Sequence, residues 1–415
     1  MLNLHARHRI DIGLRQFLYA LSACIWARDA QRLSARLVGG WSPSGNGIAC
    51  RSVRSGFHLL LDALDLTAGD EILVSAITHP DMVRIIEAHG LVPVPVDLEI
   101  GTLAPRLDVA ERLVTRKTRA ILVAHLFGGR FDMGATVAFA RRHRLLLWED
   151  CAQAFTGAGD TGDPSADASM YSFGALKTGT ALGGALIKVR DRSVLQRMRD
   201  AQRSWPVQSR RRYTAGVFKF FAFSLVTRPP AYGALAWFLR ATGRDFDKIV
   251  NSSVRAFRPG RLVPQLEVQP SAPLLATMSY RLLAFDGLRL RRRAESGEWL
   301  TAHLPPGVRL PGADMAGHTH WLFPVLSSEP DKLIAACRLA GFDAARGASS
   351  VAPVAAPAGR PEAEPEGARR MMQNLVFLPA YPELSPRSLA RLAAALDLAA
   401  TVPHRQAAHG GLRRA

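Results

Sequence analysis

Leu145-Leu146-Leu147-Trp148-Glu149-Asp150-Cys151-Ala152-Gln153-Ala154 is a short apolar run that ends abruptly in two carboxylates. A run of this length, apolar throughout rather than alternating, suits a strand buried on both faces of a sheet. Tyr171-Ser172-Phe173-Gly174-Ala175-Leu176-Lys177 follows about one β-α-β unit later, again an apolar stretch, and opens into a loop carrying a lysine. The same rhythm extends upstream. The pattern predicts a helix over Arg54 to Leu66, a strand at Glu71-Ile72-Leu73-Val74 after the turn Ala68-Gly69-Asp70, a helix over Asp81 to His89, and a strand at Val92 to Val96. Helix, strand, helix and strand follow at about 107–116, 119–125, 134–143 and 145–149. Two further strands, about 168–173 and 183–188, bracket the lysine loop. Repeated β-α units specify an α/β fold with a mostly parallel central sheet flanked by helices. Ligands of such sheets collect beyond the carboxyl ends of the strands. Asp150 sits at one such end, and Lys177 just beyond another.

The bulk composition fits that reading. The chain has 415 residues, 48% of them apolar and 21% charged, which suits a folded protein with a large domain and a smaller one. Cys24, Cys50, Cys151 and Cys337 are far apart, with no C-x-x-C pair and no histidine at ligand spacing. That pattern predicts a reducing, cytoplasmic setting, no disulfide framework and no metal. The net charge of +18 admits three partners: nucleic acid, an anionic membrane surface or a phosphorylated substrate; a solvated basic surface is the plain alternative. No RRM, zinc-finger or basic-zipper pattern accompanies the charge, so nucleic acid is not expected.

Outside the β-α region the chain divides further. Phe17 to Trp26 superficially resembles a secretory h-region, but apolar positions continue through Leu33, Leu37 and Val38 among arginines, which predicts an amphipathic N-terminal helical segment over 1–44. The large domain is expected over 45–200. A basic, apolar helical insert is expected over 201–262, with two apolar bursts, Val217–Val226 and Ala231–Leu239, around Arg228-Pro229-Pro230. This insert reads as a hairpin packed on the main domain or at a subunit contact, or as an interfacial element resting on anionic lipid at the inner membrane face. Each burst is too short to span a bilayer. A connecting helix, Leu288 to Leu300, leads into a small α+β C-terminal domain over 263–402. Its expected elements are a strand at His320–Val325, a helix near 330–340, a loop near 352–366, a strand at Leu375–Leu378 and a helix near 386–399. A disordered tail is expected over 403–415.

The chemistry rests on Lys177 and Asp150. A lysine that can lose its proton, with a carboxylate one unit earlier, suits pyridoxal 5′-phosphate: the amine condenses with the aldehyde, and the aspartate keeps the pyridine nitrogen protonated. Gln153 lies where it can hydrogen-bond the phenolate oxygen, and Ser172 where it can meet the phosphate. Ser52-Val53-Arg54-Ser55-Gly56, at the start of a helix, offers hydroxyls, a cation and free N–H groups to a phosphate. His79, in Ile77-Thr78-His79-Pro80, can stack on a flat ring. Singly, each has a plain alternative: a cap, a turn residue, a loop histidine or a surface lysine. Their order is more specific than any member.

In that order the chain resembles the DegT/DnrJ/EryC1/StrS family of fold-type-I aminotransferases. Similar stretches run from Ala63-Leu64 through Gly69-Asp70-Glu71, and include Pro95-Val96-Asp97, Arg116-Lys117-Thr118-Arg119-Ala120-Ile121, and His125-Leu126-Phe127-Gly128 with Asp132-Met133. Glu149-Asp150-Cys151-Ala152-Gln153-Ala154, and Ser172-Phe173 with Lys177 and Gly183-Gly184, complete the match, which covers about 45–190. The resemblance implies a pyridoxal-phosphate aminotransferase with Lys177 as the covalent attachment point. Asp150 is then the pyridinium partner, Gln153 the phenolate contact, His79 the stacking residue, and Arg54, Ser55 and Ser172 the phosphate contacts. It also implies a homodimer, an amino-acid donor such as glutamate, and a keto-sugar nucleotide as acceptor. A lipid-linked carbonyl acceptor and a degenerate, regulatory cofactor-binding protein are the alternatives. Departures fall on other contacts. His79 stands where a larger aromatic is usual, and Ala181-Leu182-Gly183-Gly184 replaces Gly-Glu-Gly-Gly. The Gly-Tyr-Asn-Tyr-Arg segment has no match before Pro270-Ser271-Ala272, and Arg346-Gly347-Ala348-Ser349-Ser350 replaces a histidine-bearing loop.

Overall fold

The carboxyl-terminal edge of one sheet organises the molecule. The computed structural model describes residues 3–244, 262–283, 285–346 and 350–401. Its main strands are β1 (Gly47–Cys50), β2 (Glu71–Ser75), β4 (Val92–Val96), β5 (Thr118–Ala124), β6 (Leu146–Asp150), β7 (Ala168–Ser172) and β8 (Ala185–Val189). They align in the order β1-β8-β7-β6-β5-β2-β4. All neighbours from β7 to β4 are parallel, and β8 alone runs against the rest. Most strand residues are buried, as continuous apolar runs in a doubly covered parallel sheet require. The antiparallel β7–β8 pair carries the lysine loop across its open end, and Asp150 pairs in register with Met170.

Helices α3 (Val53–Asp62) and α4 (Pro80–Ala88) point their N-termini toward the same edge. α3 lies close against the sheet at Gly56, where a Cβ would come within 2.6 Å of Ile187. One apolar cluster fills each face of the sheet.

The N-terminal region departs from a single helix. It forms α1 (Leu14–Trp26) and α2 (Ala30–Trp41), because Asp29 caps the second helix by accepting from the Arg32 amide at 2.8 Å. The insert folds as α8 (Arg210–Val226) and α9 (Pro229–Ala241), whereas residues 245–261 of it lie outside the described residues. The expected tail and Gly347 to Ser349 also lie outside them. Farther on, β9 (Phe323–Leu326) pairs with β11 (Leu375–Leu378), covered by helices Pro330–Leu339 and Pro386–Thr401. The expected strand start at His320 is instead a turn, with φ of 46° at His320, and the strand begins at Phe323. The short strand β3 (Ile77–Thr78) pairs with Ala352–Pro353, β10, inside the expected loop, and so ties the C-terminal region to the segment that bears His79. Among the described residues no helix is long and apolar enough to cross a membrane.

Candidate active site

Lys177 lies within electrostatic reach of Asp150, Arg54 and His79. Burial pushes its ammonium pKa down, the Asp150 carboxylate pulls up and the Arg54 guanidinium pushes down, leaving it at about 8. A loop lysine close to neutrality is a usable nucleophile and base.

Asp150 closes β6 and is buried, with one carboxylate oxygen accepting from the Ala152 amide at 2.9 Å. Burial raises its pKa against the pull of that amide and of Lys177. Its second oxygen makes no hydrogen bond among the described residues. The strand end is braced by His125, whose backbone N–H donates to the Asp150 carbonyl at 3.0 Å and whose Nε2 lies 3.0 Å from Glu149. Glu149 is buried yet held at about 2 by hydrogen bonds from His125 and Ser169 and by the Arg130 charge.

Gln153 Oε1 accepts from the Phe127 amide at 2.9 Å, which orients its Nε2 as a donor with no partner among the described residues. His79 caps α4, with Nδ1 accepting from the Asp81 amide at 3.1 Å. That bond needs an unprotonated Nδ1. Burial together with the Arg54 and Lys177 charges lowers the ring pKa to about 4, so His79 stays a neutral, flat ring.

At the start of α3, Ser52 caps the helix by accepting from the Ser55 amide at 3.1 Å. Ser55 is fully buried and its hydroxyl lies 3.0 Å from that of the half-buried Ser52. Arg54 is ion-paired to Asp81 at 2.6 Å. Ser172 ends β7 and accepts from the Gly174 amide at 3.4 Å. Of these, Asp150, Arg54 and His79 lie within electrostatic reach of Lys177 from separate elements, and Ser172 and Lys177 both flank Gly174.

The structure adds residues that the sequence pattern did not single out. The Trp321 ring lies 4.0 Å from Lys177 Nζ, and its Nε1 donates to the Leu176 carbonyl at 2.7 Å. Asp11 accepts from the Gly179 amide at 2.8 Å, Arg281 donates to the Thr180 carbonyl at 2.9 Å, and Arg293 donates to Thr178 Oγ1 at 2.9 Å. The loop on either side of Lys177 is thus pinned from the N-terminal segment, two later helices and the C-terminal region. Partners more than 100 residues away leave no local signal in a single sequence.

Residues 36–219 match the DegT/DnrJ/EryC1/StrS aminotransferase family. Over that stretch, less than half of the 415 residues, the chain is similar to this family. GDP-perosamine synthase of Caulobacter vibrioides is 34% identical over 158 residues, 37% of this chain and 42% of that protein. A pleiotropic regulatory protein of Geobacillus stearothermophilus is 34% identical over 166 residues, 39% of this chain and 44% of that protein. The chain therefore matches less than half the length of these relatives. The solved sugar aminotransferase CalS13 from Micromonospora echinospora superposes with a TM-score of 0.68 at 19% identity, over 96% of this chain and 100% of that one. The likeness in fold to that structure therefore extends through the C-terminal region.

The donor set fits pyridoxal 5′-phosphate. An open carboxylate oxygen on Asp150 suits a protonated ring nitrogen, and the unpartnered Nε2 of Gln153 suits a phenolate. A capped helix N-terminus suits a phosphate.

Proposed function

We propose that this chain is a pyridoxal-phosphate-dependent aminotransferase that moves an amino group from an amino acid, glutamate by family resemblance, to the keto group of a sugar nucleotide. The observation that carries the reading is the buried Lys177, its pKa lowered to about 8, within electrostatic reach of an Asp150 whose second oxygen has no hydrogen-bond partner among the described residues. When bound, pyridoxal phosphate supplies an electron sink that makes an amino acid's α-proton removable.

The residues divide the remaining work. Lys177 Nζ would be the covalent attachment point of the cofactor and, when free, the general base that accepts the α-proton. Asp150 keeps a proton at the ring nitrogen, and its burial strengthens that interaction. Gln153 Nε2 donates to the phenolate oxygen. His79 fixes the plane of the ring as a neutral partner. Ser52, Arg54, Ser172 and the α3 N-terminus hold the phosphate. Ser55 supports that cup through the Ser52 hydroxyl.

A homodimer acting in the cytoplasm belongs to the same reading, by family resemblance. The acceptor is assigned from relatives such as GDP-perosamine synthase, whose printed name points to a nucleotide-linked sugar. A lipid-linked carbonyl acceptor, with peripheral contact at the inner membrane face, is the second reading, favoured by the exposed apolar residues of α8 and α9. The likeness to a regulatory protein raises a cofactor-binding regulator as a third, against which the complete Lys177, Asp150 and Gln153 set argues. The test is the Lys177→Ala protein incubated with cofactor, glutamate and keto-sugar nucleotides. Loss of the yellow cofactor absorbance and of turnover is expected; turnover retained without added amine would overturn the assignment.

A further inference from the structure

Three neighbouring helices turn apolar side chains outward where a water-facing helix carries polar ones. On α1, Leu14, Leu18 and Ile25 recur at the spacing of a single helical row and are 61%, 56% and 77% exposed. On α8 the exposed residues are Arg211, Arg212, Ala215, Phe218, Lys219, Ala222, Leu225 and Val226, and Phe218 is 57% exposed. On α9 they are Pro230, Ala231, Ala234, Trp237, Phe238, Arg240 and Ala241, with Trp237 68% exposed. Helix α8 is apolar on both sides, which suits a helix with two apolar environments rather than one. The three helices adjoin: the buried Phe17 ring of α1 meets Phe221 of α8 edge-on at 5.3 Å behind the exposed rows, and only Thr227 and Arg228 separate α8 from α9. Leu14 and Leu225, both exposed, line one cavity of about 450 Å³ between α1 and α8.

The charge carried by these three helices has one sign, although Asp11, Asp286 and Glu383 line the cavity beside them. Residues 201–244 contain eight basic side chains (Arg203, Arg210, Arg211, Arg212, Lys219, Arg228, Arg240 and Arg244) and no Asp or Glu. In α1 the sole charged residue is Arg15. Arg228, at the tip between α8 and α9, has an exposed side chain that makes no ion pair among the described residues and stands at the cavity wall.

We propose that the outward rows of α1, α8 and α9 form a docking surface for an anionic lipid bilayer. Their aromatic and aliphatic side chains enter the headgroup region, and the arginines meet lipid phosphates. Apolar rows flanked by basic residues are what an interfacial helix presents to such a surface. A second copy of the chain is the other candidate occupant. A two-fold contact sets a patch against itself. Here it would bring cations against cations with no acid in 201–244 to compensate, which opposes association. Docking rests on surface composition and not on amino transfer. It bears on the reading above only by placing the enzyme where a lipid-linked acceptor resides.

The experiment is co-sedimentation of the full chain with vesicles of phosphatidylcholine alone and with phosphatidylglycerol added, at low and high salt. Trp237 fluorescence is followed in parallel, and light scattering reports the oligomeric state. Binding only to the phosphatidylglycerol vesicles, weakened by salt and accompanied by a blue shift, is expected. The Phe218→Ser/Trp237→Ser variant should bind about tenfold or more weakly, because two large apolar side chains no longer leave water. That variant should retain its amino transfer to soluble acceptors, so failure to dock is distinguishable from failure of the aminotransferase reading. Equal sedimentation with neutral and anionic vesicles overturns the proposal. So does a dimer that dissociates in the variant while the parent binds no vesicles, which assigns the face to a second copy.

Discussion

The Trp321 indole sits against Lys177 with its ring centroid 4.0 Å from Nζ, and its N–H closes on the carbonyl of the preceding residue, Leu176, at 2.7 Å. The ring attracts the charged form of the lysine, and the hydrogen bond fixes the loop that carries it. Trp321→Phe keeps a ring and loses the bond, a loss worth about 0.5–1.5 kcal/mol. Cofactor affinity in a fluorescence titration should therefore weaken by about 2- to 12-fold, by the conversion of 1.4 kcal/mol per tenfold, with the fold intact by circular dichroism. An unchanged affinity would mean that the loop is held by its other contacts alone.

Cofactor capture should follow the protonation of Lys177. Only the neutral amine attacks an aldehyde, and its pKa lies at about 8. The capture rate of the cofactor-free protein should rise about tenfold per pH unit below that value and level off above it. His79, at about 4, should contribute no inflection above pH 5. The same shift has a sign for stability. The folded lysine gives up its proton at about 8 and the unfolded one at its ordinary 10.5, so the unfolded state holds more protons between these values. The contribution of Lys177 to the stability of the cofactor-free protein therefore increases with pH across that window and is constant below it. Stopped-flow absorbance and urea titrations at several pH values measure the two effects separately.

The sheet was legible because its strands are continuous apolar runs separated by helical spacing, and the structure reproduces β4 at Val92–Val96 and β11 at Leu375–Leu378 residue for residue. Helix ends were less legible. The predicted α3 runs to Leu66, whereas the helix stops at Asp62, since propensity alone does not mark where packing ceases to support a turn. The break between α1 and α2 hides behind unbroken apolar spacing and is set by one capping aspartate, Asp29. At the site, Asp150 and Lys177 could be read because each belongs to a local pattern. Trp321, Arg281 and Arg293 could not, because their partners at 176, 180 and 178 are more than 100 residues distant.

Asp150→Asn should separate cofactor binding from turnover. The amide keeps the shape and the bond from the Ala152 amide but carries no charge to hold a proton at the ring nitrogen. The yellow absorbance should persist with added cofactor, whereas single-turnover amino transfer should fall by about 10²–10³, the scale on which a preorganised charge acts in a dry site. A fall of less than a few-fold would remove Asp150 from its assigned role.

A last prediction concerns the joint between the N-terminal segment, the hairpin and the C-terminal region. Arg7 is paired with Asp343 at 2.7 and 3.0 Å, and Tyr232 of α9 donates its hydroxyl to the same carboxylate at 2.5 Å. Asp343 is fully buried and Arg7 nearly so. Asp343→Ala takes from a buried guanidinium and a phenol the carboxylate that they share, which should cost about 3–5 kcal/mol in urea unfolding. Removing both charges together with Arg7→Met/Asp343→Leu should cost far less than the single change, since no buried ion is left without its partner. Tyr232→Phe tests the third member: its loss is that of one hydrogen bond to a charged group, about 1.5–3 kcal/mol. If the double substitution proves as damaging as Asp343→Ala, the joint depends on packing at these positions and not on the pairing of charge.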